Sequence, residues 1–206
     1  MASVLQRVGW PRLSLALVAR EVRVTPGALR QRFGSKHELL VAFNAWVLAG
    51  LRTEAEESAV VADAAPPLQR LRQLFFGWIG PFASPQQLAN ALTAIIESVG
   101  DLVLRRQVEE RLDLVHQRIE ALLAEAVAHG ELDAVEPARL ARLLFASVEG
   151  AMVIWSVRGD GQAADRVDDV IDQVLAPYRR PPVVPSASPA RRRSTATPLS
   201  SRGTHT

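Results

Sequence analysis

Apolar residues recur at helical spacing almost without interruption between positions 14 and 178 of this chain. Leu15, Val18, Ala19 and Val22 keep the i, i+3, i+4, i+7 spacing of one buried helix face. After a tight break, Val24, Ala28, Leu29 and Phe33 form a second such face. Thr25-Pro26 marks the start of that second helix, because a hydroxyl can cap free N–H groups and proline suits the first helical position. Ser35-Lys36 opens a third. Two short helices joined this way, the second with its N-terminal end outward, make a helix-turn-helix, which is the arrangement that readout of a DNA major groove requires.

The rest reads as a helical bundle. A long helix over 35–62 carries Leu39, Leu40, Phe43, Trp46, Val47 and Leu51 along one side, and Ala64-Ala65-Pro66-Pro67 breaks it. Helices over 68–80 and 86–99 follow, separated by Pro81 and Ser84-Pro85. Gly100-Asp101 restarts the chain into a helix that His129-Gly130 stops. Residues 136–158 are apolar on nearly every side, so that helix needs two buried faces, one in its own chain and one against something else. Residues 163–178 place Val167, Val170, Ile171, Val174, Leu175 and Tyr178 at unbroken helical spacing. The fold class is all-α.

Charge divides this pattern into three parts. Residues 1–46 carry +5, residues 47–178 carry −9, and residues 179–206, rich in Pro, Ser, Thr and Arg, carry +6. A basic head on an acidic body suits a protein that meets DNA at one end only. The tail is too poor in apolar residues to offset the cost of ordering and is expected to be disordered, with Arg191-Arg192-Arg193 able to add non-specific phosphate attraction. There are no cysteines, no signal-peptide pattern and no apolar run of membrane-spanning length, so a cytoplasmic protein with no membrane partner is expected. The four histidines are scattered, and no phosphate-binding loop or zinc-protease pattern occurs, so neither catalytic residues, a metal site nor a cofactor is expected.

Gly9-Trp10, Ser14, Val18-Ala19, Val22-Arg23-Val24-Thr25, Gly27, Leu29-Arg30, Arg32-Phe33, Ser35-Lys36 and Leu39-Leu40 together resemble the TetR family of one-component transcriptional regulators. The match covers residues 9–43; beyond them only the helix pattern is similar. Arg23 stands where the family has a turn glycine and must tolerate a position that often needs positive φ. Arg30 and Arg32 replace the family's tyrosine and histidine. Only eight residues precede Gly9, where the family has a first helix of about four turns; Ala2–Val8 can form a stub at most, and a start upstream of Met1 is the expectation.

The resemblance implies a helix-turn-helix domain at 1–46, a ligand-binding and dimerisation domain at 47–178, and a homodimer that is released from a double-stranded operator by a small-molecule effector. Among the exposed recognition residues Thr25, Pro26, Gly27, Ala28, Arg30, Gln31 and Arg32, the glycine lets backbone approach the duplex. Arg30 and Gln31 suit base edges, and Arg32 suits phosphate. By resemblance, Ser14 and Lys36 clamp the backbone. The effector pocket would lie among the helices of the body, with Trp46, Phe75, Trp78, Phe82, Ile96, Phe145, Met152 and Trp155 as candidate lining, although aromatics at helical spacing are core more often than pocket. Glu97 and Glu149 each interrupt an apolar run, either to hold a cationic ligand or to pair with Arg105, Arg106 or Arg142. The last helix pair would meet its copy about a two-fold axis through Ala146, Gly150, Ile154, Val167, Val170, Ile171 and Val174. Rival readings are a ligand- or partner-binding dimer that no longer grips an operator, and a small helical enzyme.

Overall fold

The computed structural model describes residues 1–60 and 65–179, so the tail beyond Arg179 lies outside the described residues. Nine helices fill them: α1 (Ala2–Arg12), α2 (Leu15–Glu21), α3 (Pro26–Phe33), α4 (Lys36–Val60), α5 (Pro67–Ile79), α6 (Pro85–Ser98), α7 (Leu102–Ala128), α8 (Pro137–Arg158) and α9 (Ala163–Leu175). No strand occurs among the described residues, and the fold is all-α. Side chains fix the starts of α2, α3, α6 and α7: Ser14, Thr25, Ser84 and Asp101 accept from backbone N–H groups of the first turn. Proline opens α3, α5, α6 and α8, where its missing N–H costs nothing. The helix expected to run to 178 stops at Leu175 and tightens into a 3₁₀ turn over Ala176–Tyr178, because Pro177 cannot continue the ladder.

Two apolar clusters hold the chain together. The larger joins α5, α7, α8 and α9 through fully buried Phe75, Ile119, Leu123, Leu144 and Ile171. The smaller joins α1, α2, α3 and the start of α4 through Val4, Leu5, Leu13, Val18, Ala19, Leu29 and Leu39, and it takes in Ala94 from α6. Helix α1 therefore packs along α6 rather than only on its own neighbours. Helical residues continue past the expected stub to Arg12, but the helix breaks at Gly9, whose φ is 73°. A Cβ there would sit 3.0 Å from the Asn90 side-chain oxygen, and the Asn90 amide donates to the Gln6 carbonyl at 2.6 Å. That glycine serves both the bend and the close approach of α6.

Helix α4 starts in the smaller cluster through Leu39 and lies alongside α7. His37 meets Asp101 at 2.9 Å, Gln107 donates to the Val41 carbonyl at 3.0 Å, and Arg52 pairs with Glu110. Val24 is not a buried helical position as expected: it precedes α3 and is exposed. By length and composition α8 could cross a bilayer, which the sequence reading did not anticipate. It packs instead on α6, α7 and α9 through Leu140, Leu144, Val148, Met152 and Trp155.

Candidate nucleic-acid interface and effector cavity

The turn between α2 and α3 is built by three residues. Arg23 takes φ 57°, the left-handed conformation that the missing glycine foretold. The Val24 N–H donates to Ala19, and the Thr25 hydroxyl accepts from Ala28 N–H at 3.1 Å. This leaves Thr25, Pro26, Gly27, Ala28, Arg30, Gln31 and Arg32 all exposed, with Leu29 alone of α3 buried and Phe33 half-buried. A Cβ on Gly27 would meet only the Thr25 hydroxyl, at 3.9 Å, so its surface is open to an approaching molecule. Ser14 is half-buried and caps α2 through Leu17 N–H at 3.3 Å, leaving the hydroxyl proton free to donate outward.

Lys36 departs from its expected place as a backbone clamp. Its ammonium turns inward, donating to the Trp10 carbonyl at 2.7 Å and lying 4.0 Å from the Trp10 ring centroid. Burial holds its pKa below the ordinary lysine range, while the charge of Glu97 acts the other way. Lys36 thus ties the end of α1 to the start of α4. Glu97, expected in an apolar pocket, is exposed on α6 beside this tie. The start of α4 also holds a reciprocal cap that the sequence reading missed although Ser35-x-x-Glu38 displays it: Ser35 N–H donates to the Glu38 carboxylate at 2.9 Å, and Glu38 N–H to the Ser35 hydroxyl at 3.1 Å.

Most of the expected pocket residues come together, but as packed core. Phe75 meets Trp78 edge-on at 5.2 Å, Trp78 meets Phe145 at 6.2 Å, and His116 meets Phe145 at 4.7 Å. Met152 and Trp155 are buried among them, the Trp155 indole donating to the Gly161 carbonyl at 3.2 Å. Trp46 and Ile96 stand on the surface. Phe82 alone of the expected residues lines a cavity of about 200 Å³. That cavity lies where α1, α4, α6 and α7 meet, walled by Leu5, Phe43, Val47, Ile95 and Val108 with Arg111 as its charged group. Glu149 is half-buried on α8; burial raises its pKa, and the opposing charge comes from Arg111, not from the three arginines expected. Arg105 is paired with Glu109 instead. No cluster of three metal-ligating side chains occurs among the described residues.

The profile described as "Bacterial regulatory proteins, tetR family" matches residues 2–43, and "Tetracyclin repressor-like, C-terminal domain" matches residues 67–171. The chain belongs to the TetR family. The HTH-type transcriptional regulator BetI of Vibrio campbellii is 33% identical over 137 residues, covering 62% of this chain and 69% of that protein. BetI of Vibrio parahaemolyticus is 27% identical over 189 residues, covering 85% and 88% respectively. A TetR transcription regulator of Haloarcula marismortui superposes with a TM-score of 0.69 at 16% identity, over 86% of this chain and 93% of its own, a likeness of fold. The protein is a DNA-binding transcriptional regulator with an N-terminal helix-turn-helix and a C-terminal helical domain.

In this TetR-family regulator the outer side of α8 carries Leu143, Ala146, Gly150, Val153, Ile154 and Val157, all exposed. Apart from Ile154 they alternate by three and four, the spacing of a helix seam. Val170 and Val174 on α9 are half-buried. Val167 and Ile171, expected at a dimer contact, have no exposed surface: they point into the larger cluster and cannot touch a second chain.

Proposed function

We propose that this regulator acts as a cytoplasmic two-fold homodimer that represses by holding two α3 helices in successive major grooves, and that a small molecule in its helical domain releases it. The exposed tip from Thr25 to Arg32, held out by the Arg23 turn and the Thr25 cap, is the observation that carries this reading. Thr25, Pro26, Gly27 and Ala28 form the leading turn of α3, Arg30 and Gln31 read base edges, and Arg32 and Ser14 hold phosphates. Lys36 positions the module through Trp10. The outer side of α8, with Val170 and Val174 of α9, supplies the contact between copies. The assignment of 1–46 to the DNA-binding domain and 47–178 to the effector-binding and dimerisation domain follows the same division, with α4 passing between them. Half-sites would lie roughly 34–36 Å apart.

Selection of bound fragments from genomic DNA, followed by gel shifts with Arg30→Ala, tests this. The variant should lose about 1–3 kcal/mol on the selected operator and relax specificity at one position. Equal losses on operator and random duplex would contradict base readout by Arg30. Failure to select any fragment would favour a dimer without operator binding.

A further inference from the structure

We propose that the cavity between α1, α4, α6 and α7 binds a small apolar carboxylate, with its anionic group on Arg111 and its hydrocarbon body against Phe43 and Phe82. This rests on reading the chain as an effector-controlled regulator, and it names the chemical class of the effector and the place where it acts. At about 200 Å³ the space lies below the roughly 300–1,000 Å³ of drug-sized sites, and a cavity of roughly 150 Å³ accepts benzene. One ring with a short charged arm is the matching size. Most of the wall is apolar, and Arg111 is its charged residue.

A guanidinium cannot shed its proton, so its charge in a half-buried site must be answered by an anion. The opposing charge within the protein is Glu149 on α8. Burial raises the pKa of that carboxyl, so keeping its charge beside Arg111 carries a desolvation cost. A ligand carboxylate supplies a bidentate partner in its place, whereas a cation would meet Arg111 at the wall.

Position gives this site its consequence. Leu5 and Gln6 come from α1, and Leu40, Phe43 and Val47 from α4, the helix that follows directly on α3. An occupant therefore touches the DNA-binding module itself and alters how it sits on α6 and α7, with no relay through the larger core.

The test titrates the full-length protein calorimetrically with phenylacetate, 2-phenylethanol and 2-phenylethylammonium, which share a skeleton and differ in charge. Phenylacetate should saturate one site per protomer, at least tenfold tighter than either relative. Arg111→Gln should lose at least that tenfold, and Glu149→Gln should tighten phenylacetate several-fold by removing its competitor. Ala91→Phe, which fills the wall, should abolish binding. If Arg111→Gln does not fold, the charge-free pair Arg111→Gln with Glu149→Gln replaces it and should bind phenylacetate no better than 2-phenylethanol. Equal affinity for the three probes, no saturable binding, or indifference to the loss of Arg111 overturns the proposal. Charge-selective binding with unchanged affinity for a selected operator would keep the ligand assignment while overturning release by an effector; a normal operator complex blind to all three probes would do the reverse.

Discussion

Gly150 offers a perturbation in which protomer and dimer respond with opposite sign. An added Cβ at this position has no heavy atom within 4 Å, so a side chain enters the isolated protomer without clash. Glycine inside a helix costs about 0.8–1 kcal/mol relative to a good helix former, so Gly150→Arg should make α8 itself more stable. Across a two-fold seam the same side chain holds the helices beyond the roughly 8–10 Å at which they pack. Leu143 is 51% exposed, Val153 46%, Ile154 50% and Val157 81%. That is about two whole aliphatic side chains per protomer, and at about 1.5–3 kcal/mol each their burial in a dimer is worth roughly 6–12 kcal/mol gross. Association itself costs about 4–15 kcal/mol, so little surplus remains to absorb a wedge. The expected result is a dissociation constant raised at least about 100-fold, or 2.7 kcal/mol, with helical circular dichroism intact and operator binding lost. Sedimentation velocity over a concentration series measures it. Gly77→Arg on α5 is the control: it too has open space and gains the same helix propensity, on a helix that supplies none of the seam residues. A Gly150→Arg protein that remains dimeric, or a Gly77→Arg protein that dissociates, refutes the α8 interface.

Arg23→Gly should be more stable than Arg23→Ala by about 0.5–1 kcal/mol in urea denaturation, because both remove the charge but glycine alone relieves φ 57°; equal midpoints would show that the turn is unstrained. Lys36→Met should lower the melting temperature, losing a cation–ring contact of about 0.5–2 kcal/mol, yet leave the salt dependence of operator binding unchanged. Arg32→Ala should instead reduce the slope of log affinity against log salt by about one phosphate, and the opposite assignment of these two effects would return Lys36 to the duplex. Because burial raises the native pKa of Glu149 above its unfolded value, the native state binds that proton more tightly. Stability relative to Glu149→Gln should therefore be greatest in acid and fall as pH rises through the ordinary glutamate value toward the raised one. A difference that stays flat with pH would place the carboxyl in water.

Helix positions, the turn and the exposed recognition tip were legible because each follows from local chemistry. Thr25 caps, Pro26 starts a helix, and Arg23 occupies a turn position whose backbone demand is set by its two neighbours. What periodicity cannot supply is the identity of the partner behind each buried face. Val167, Val170, Ile171 and Val174 are equivalent by spacing, yet Val167 and Ile171 face the chain's own core while the other two stay half-buried toward its surface. Glu97 and Glu149 interrupt apolar runs in the same way, but one ends beside Lys36 in solvent and the other opposite Arg111 on the helix behind a cavity. Both errors have the same physical origin: burial and charge pairing are set by helices more than twelve residues away. The aromatic residues misled for a related reason. A ring wide enough to wall a pocket is wide enough to fill one, and Phe75, Trp78 and Phe145 fill theirs by meeting edge-on. The cavity opens instead where Ala2, Leu5 and Gln6 of α1 meet α4, α6 and α7, so it lies at the attachment of the helix-turn-helix module to the body, a junction of distant segments that no local spacing displays.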